Sequence, residues 1–220
     1  MNIIPLMFAL AVGVSQAGRV PRQFDFYSQF PFGDYISQFP EHPAAFAQET
    51  YPYSAQSSPY ASALCKLIPA AGQQVGGEIY FHQADSIGPV EVTVSVFGLT
   101  PGLHGFHIHQ NGNVSDNCKA AGSHFNPANK NHGSPKDAVR HAGDLGNIEA
   151  DAHGFANAHI VDQEISLVDQ NPRQIVGRAV VIHAKEDDLG KGNNSESLKT
   201  GNAGSRVACC VIQATSYGKK

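Results

Sequence analysis

The stretch Val90–Phe97, "VEVTVSVF", alternates apolar and polar residues up to its final Phe97. Valine occupies every second position, with Glu91, Thr93 and Ser95 between. A period of two belongs to a half-buried β-strand; a helix would repeat its apolar positions every three or four residues. The texture continues on both sides. Upstream lie "ALCKLI", a short apolar strand, and residues 75–82, "VGGEIYFH". Downstream, "GLTPGLHGFHIHQNG" turns at Thr100-Pro101-Gly102 and enters another strand through His109. Strand-like runs return over residues 144–150, 156–162 and 179–183, and "SRVACCVIQA" closes the series. About eight strands with turn residues between them predict an all-β sandwich or barrel. Two long segments, 111–142 and 184–204, have no strand pattern, and loops of that length are usually functional.

The chain has 220 residues, of which 15% are charged, with a net charge of −4. That balance argues against nucleic acid or an acidic membrane surface as a partner. Residues 2–17, "NIIPLMFALAVGVSQA", form a short apolar run ending in small residues, which reads as a secretory signal peptide cleaved after Ala17. The run is too short to span a membrane comfortably, and no second one follows. A secreted protein in an oxidising compartment is expected. The sequons at Asn113 and Asn193 agree with secretion as candidate glycosylation sites. Residues 18–60 are rich in Phe, Tyr, Pro, Gln and Ser, and repeat "SQFP". They read as a low-complexity, disordered arm: a spacer, or a sticky surface for an unknown partner. A domain over 61–220 follows.

Eleven histidines are many for such a chain, and they concentrate between His104 and His183. His107 and His109 are two apart on one strand, so both face the same side, as a metal pincer requires. His124, His132 and His141 follow on the long loop, with Asp144 three residues beyond His141. Three imidazoles and a carboxylate make a closed four-ligand zinc set. His183, at the end of "AVVIH", can join the pincer, and such imidazole sites suit copper or zinc. The ligands exceed the needs of one ion, so two neighbouring metals are expected.

Taken together, "GLHGFHIH", "SHFNP", "HGSPKD", "RHAGDLGN", "DDLGKG" and "TGNAGSRVAC" closely resemble the copper/zinc superoxide dismutases over residues 62–218. The resemblance implies one copper held by His107, His109, His124 and His183. It implies one zinc held by His124, His132, His141 and Asp144, with His124 bridging the two. It gives Asp187 the role of a carboxylate orienting a copper and a zinc histidine together. Arg206 would guide superoxide over the copper, with Glu196 and Lys199 in the steering set, although Ser195 stands where the family often has another acid. The implied reaction is disproportionation of superoxide to O2 and H2O2, an antioxidant defence, with His124 and Arg206 taking part. The family usually forms a homodimer, which is expected here although a glycan on Asn113 would obstruct the usual contact. The alternatives are a secreted metal-binding or adhesion protein that uses the fold as a scaffold; retention of every ligand position and of Arg206 favours the enzyme.

Four cysteines, Cys65, Cys118, Cys209 and Cys210, allow three full pairings. Cys209 and Cys210 are neighbours on a strand and face opposite sides of the sheet. By resemblance, Cys209 pairs with Cys118 and pins the long loop. Cys65 and Cys210, on the first and last strands, are then expected to form a second, cross-strand disulfide.

Overall fold

The four valines of Val90–Phe97 are buried and the residues between them exposed, as the alternation requires. Burying each valine contributes about 1.5–3 kcal/mol. Around this strand a computed structural model describes residues 61–217. The expected signal peptide and arm, 1–17 and 18–60, lie outside the described residues. The strands are β1 (Ala61–Lys66), β2 (Ile68–Pro69), β3 (Gly76–Gln83), β4 (Val90–Phe97), β5 (Gly102–His109), β6 (Asp144–Ala150), β7 (Ala156–Asp162), β8 (Ala179–His183), β9 (Arg206–Val211) and β10 (Gln213–Tyr217). A single helical turn, α1 (Ser197–Thr200), lies in the last long loop.

The strands form two five-stranded antiparallel sheets, ordered β10-β1-β3-β4-β7 and β2-β9-β8-β5-β6. Pairing of β4 with β7 and of β5 with β8 requires the Greek-key crossovers. The ten strands come from the eight runs that the sequence predicts, because two runs serve both sheets. The first crosses at Leu67, between β1 and β2, and the last crosses at Ile212, between β9 and β10. Such switching strands make the corners where two sheets meet.

Between the sheets lies a continuous apolar core that includes Val92, Val94, Phe81, Phe106, Ile108, Ile148 and Ile182. A smaller cluster on the outer side of the second sheet joins Ala121, Val181, Cys118 and Cys209 under the loop 110–143. The two neighbouring cysteines divide between these clusters, Cys210 in the core and Cys209 outside. Both expected disulfides are present: Cys65–Cys210, with Cα atoms 5.5 Å apart, joins β1 to β9 through the core. Cys118–Cys209, at 5.9 Å, ties the loop to the outer face of β9. Before it, Asp116, Asn117 and Cys118 all have positive φ, at 51°, 53° and 69°. Three such non-glycine residues in a row cost energy, and the run is held by the disulfide, by the Ala71 N–H donating to Oδ1 of Asn117 at 2.9 Å and by Arg206 on the Cys118 carbonyl.

Candidate metal centre

On β5, Phe106 and Ile108 point into the core, so His107 and His109 take the outer face of the sheet. That face is covered by the loops 110–143 and 184–205, which is why both histidines are buried. β8 obeys the same parity: Val180 and Ile182 are core residues, and His183 emerges beside the pincer. The first loop supplies His124, which bridges to His109 in the backbone, then His132 and His141, with Asp144 at the start of β6. All are buried.

Two overlapping sets result. Ligand atoms of His107, His109, His124 and His183 lie within 4.8 Å of one another, as do those of His124, His132, His141 and Asp144. His124 belongs to both. In the first set, each far ring nitrogen is already committed. Nε2 of His107 contacts an Asp187 carboxylate oxygen at 2.8 Å. Nδ1 of His109 donates to the Gly122 carbonyl at 2.8 Å, and Nδ1 of His183 to that of Gly204 at 3.2 Å. That leaves Nδ1 of His107 and Nε2 of His124 buried without a hydrogen-bond partner, while Nε2 of His109 faces Nε2 of His183 at 3.4 Å. Buried ring nitrogens are ordinarily paired, so these convergent lone pairs need an acceptor of electrons. Burial, reinforced by the neighbouring histidines, pushes the pKa values of His107 and His109 far down. Burial likewise holds His183 at about 4. The set is therefore neutral near pH 7, as imidazole ligands to copper must be.

The second set is arranged around Asp144. Its Oδ1 lies 2.8 Å from Nδ1 of His124 and 3.1 Å from Nδ1 of His141. Nδ1 of His132 is 2.9 Å from the same oxygen but lacks hydrogen-bond geometry. Nδ1 of His141 and Nδ1 of His124 are 3.4 Å apart. Two nitrogens on a tetrahedral zinc, with bonds of about 2.0–2.1 Å, stand about 3.4 Å apart. Burial opposes charge on Asp144, yet hydrogen bonds from its histidines hold its carboxyl well below the usual range. Burial also opposes charge on His132, but the carboxylates of Asp144 and Asp187 raise it to about 9. Two wholly buried carboxylates thus demand positive charge at this position, which a divalent cation supplies. The donor set fits zinc, and the first set fits copper.

Asp187 joins the two. One oxygen contacts Nε2 of His107 at 2.8 Å and the other Nε2 of His132 at 2.7 Å. Asn147 fixes its backbone through reciprocal bonds of 2.8 and 2.9 Å. Gly201, with φ at +67°, passes so close that a Cβ there would collide with the Asp187 carboxylate.

A cleft of about 850 Å³ opens over the first set, lined by His109, His124, His183 and Arg206. Arg206, at the start of β9, donates to the carbonyls of Cys118 and Gly122, both at 2.5 Å. Gly122 therefore holds both His109 and Arg206 on one oxygen. Glu196 and Lys199 also line the cleft, and a Thr200 hydroxyl donates to Glu196 at 3.0 Å. Asn113 and Asn193 are exposed.

Besides Asn147, Lys130 and Arg140 escaped the sequence reading. Lys130 lines the cleft, its amine anchored on the Ala138 carbonyl at 2.9 Å. Arg140 pairs with Asp162 at 2.5 Å and donates to the Asp144 carbonyl at 2.7 Å, so it ties the zinc-side loop to the end of β7. Their only sequence signal is adjacency to ligand motifs, as in "RHAGD".

Comparison with known proteins bears on the same residues. The copper/zinc superoxide dismutase (SODC) family profile matches residues 75–212. The superoxide dismutase [Cu-Zn] of Onchocerca volvulus is 56% identical over 144 residues, covering 64% of this chain and 90% of that protein. The profile match begins before the pincer histidines and ends beyond Cys210, so both ligand sets and the cleft fall inside it, and the chain belongs to the copper/zinc superoxide dismutase family.

Proposed function

We propose that the chain works outside the cell as an antioxidant enzyme and that the residues above carry the roles their geometry suggests. His107, His109, His124 and His183 hold copper; His124, His132, His141 and Asp144 hold zinc. The observation that carries this assignment is the convergence of buried ligand atoms on two positions that share His124, with Nδ1 of His107, Nε2 of His124 and Nδ1 of His132 left without hydrogen-bond partners. When bound, copper supplies a one-electron redox couple and zinc a fixed positive charge.

Two superoxide anions and two protons give O2 and H2O2, so the protein must attract an anion and deliver protons. Arg206, held by two loop carbonyls, presents a fixed guanidinium beside the copper histidines, where it attracts and orients the anion. Lys199 and Lys130 extend that field along the cleft, and Glu196 is the only carboxylate among its lining residues. Nε2 of His124 is buried without a partner beside the first set, where it would ligate copper or, when not so engaged, carry a proton for the product. Asp187 keeps one copper and one zinc histidine in register throughout.

Secretion is supported by the leader-like residues 2–17 and by the two disulfides. Glycans on Asn113 and Asn193 and a homodimer belong to the same reading; a monomer mass on sedimentation at micromolar protein would exclude the dimer. The test of the whole is metal content with superoxide consumption on protein recovered from the medium of expressing cells. Copper, zinc and activity together support it. Retention inside the cell overturns the extracellular part alone.

A further inference from the structure

Arg178 stands immediately before β8, half-buried, outside both ligand sets and outside the cleft lining. Its guanidinium carbon sits 3.6 Å from the centre of the Phe125 ring. Nη1 donates to the Gln110 carbonyl at 2.7 Å, and Nε to that of Gln174 at 2.8 Å. A guanidinium stacked on a ring while its N–H groups are spent on carbonyls is held in one plane, which lysine cannot reproduce.

The partners are chosen from three segments that each carry a copper-side histidine. Gln110 follows His109, and Phe125 follows His124. Arg178 itself opens the strand that ends in His183. The first two segments are laced together by backbone bonds from Gln110 to Ser123 and from Phe125 to Ile108, at 2.9 and 2.8 Å. The ladder of β5 with β8 already sets His109 opposite Ala179, but nothing in that lacing ties the Phe125 segment to β8 directly. Arg178 does, by gripping Gln110 and covering Phe125 from the root of β8. The Arg178 backbone is fixed in turn, its carbonyl accepting from Ile212 at 2.9 Å.

We infer that Arg178 is a positioning residue for the copper site, setting His124 against the β5–β8 ladder that carries His109 and His183, through the Phe125 stack and the Gln110 carbonyl. This rests on the copper assignment above. Zinc depends on it less, because His132 and His141 are oriented by Asp144 and Asp187 instead.

The test compares the wild-type holoprotein with Arg178→Gln, Arg178→Lys and Phe125→Leu. Copper(II) electron paramagnetic resonance reads ligand geometry, chelator competition reads copper and zinc affinity separately, and melting reads stability. The inference predicts that Arg178→Gln alters the copper hyperfine pattern and weakens copper about tenfold, within the range for residues that orient ligands. Zinc affinity should change less than about twofold, and Arg178→Lys should recover part of the copper effect. Phe125→Leu, which keeps a folded apolar core residue, should shift the spectrum in the same direction. A wild-type spectrum and copper affinity in folded Arg178→Gln would overturn it, as would equal weakening of both metals with no recovery by lysine. A wild-type holoprotein without a nitrogen-ligated copper signal would overturn the copper assignment itself.

Discussion

At the scale of residues, Asp187 holds the site from outside the cleft lining. Asp187 accepts from one histidine of each set, so a single carboxylate keeps both in tautomer and orientation. In Asp187→Asn, one oxygen is replaced by a donor that faces a ring N–H. Both metals should then bind about 10–100-fold more weakly, as read by chelator competition. Loss of one metal with full retention of the other would contradict the shared role. Arg206 acts differently, through its charge. Arg206→Gln should leave metal content unchanged and lower the rate constant for superoxide by about tenfold or more. Lys130→Gln should produce a smaller loss. The histidines were legible from the sequence because their residue type, their spacing and the family motifs all point one way. Arg140, Asn147, Lys130 and Arg178 were not, because their roles arise from carbonyls and carboxylates brought close only by the fold. Asn147, for instance, meets Asp187 across a separation of 40 residues.

At the scale of elements, the two disulfides do different work although their cysteines adjoin. Cys118–Cys209 closes a separation of 91 residues and fixes the left-handed turn whose Cys118 carbonyl holds Arg206. Replacing both by alanine should cost about 2–5 kcal/mol of stability. It should also lower activity in the folded, metal-loaded protein, because the arginine loses its mount. Cys65–Cys210 lies in the core, on the opposite face of the sheet from the pincer histidines, and binds the two sheets together. Its double alanine variant should lose stability of similar size, measured by denaturant unfolding, with activity per bound copper unchanged. Equal activity losses in both variants would contradict this division. Alternation revealed strands that keep one face in the core and one in solvent, Val90–Phe97 most plainly, whereas β8 is buried on both faces and reads as a continuous apolar run. It did not reveal the sheet switches at Leu67 and Ile212, since the apolar run continues through each corner and only the hydrogen-bond partners change.

At the scale of the molecule, charge and metal set the behaviour. The net charge of −4 repels superoxide, yet Lys130, Lys199 and Arg206 line the cleft against one carboxylate, Glu196. The rate should therefore fall as ionic strength rises, because salt screens the local attraction over about 10 Å at 0.1 M. A rate that rises with salt would mean that the global charge dominates. The ions should also carry stability. An ion present at a thousand times its Kd contributes roughly 4 kcal/mol, so chelation of one such ion should lower Tm by roughly ten degrees in a domain of this size. The metal-free chain should still fold, since both disulfides and the apolar core remain. The central claim is that the two overlapping ligand sets would hold one copper and one zinc, and that the loaded protein consumes superoxide through the copper. It is tested most directly by measuring metal content and superoxide consumption on the same purified protein. The account predicts one copper and one zinc per chain, with activity proportional to copper. A protein without copper, and without activity after copper is supplied, would contradict it.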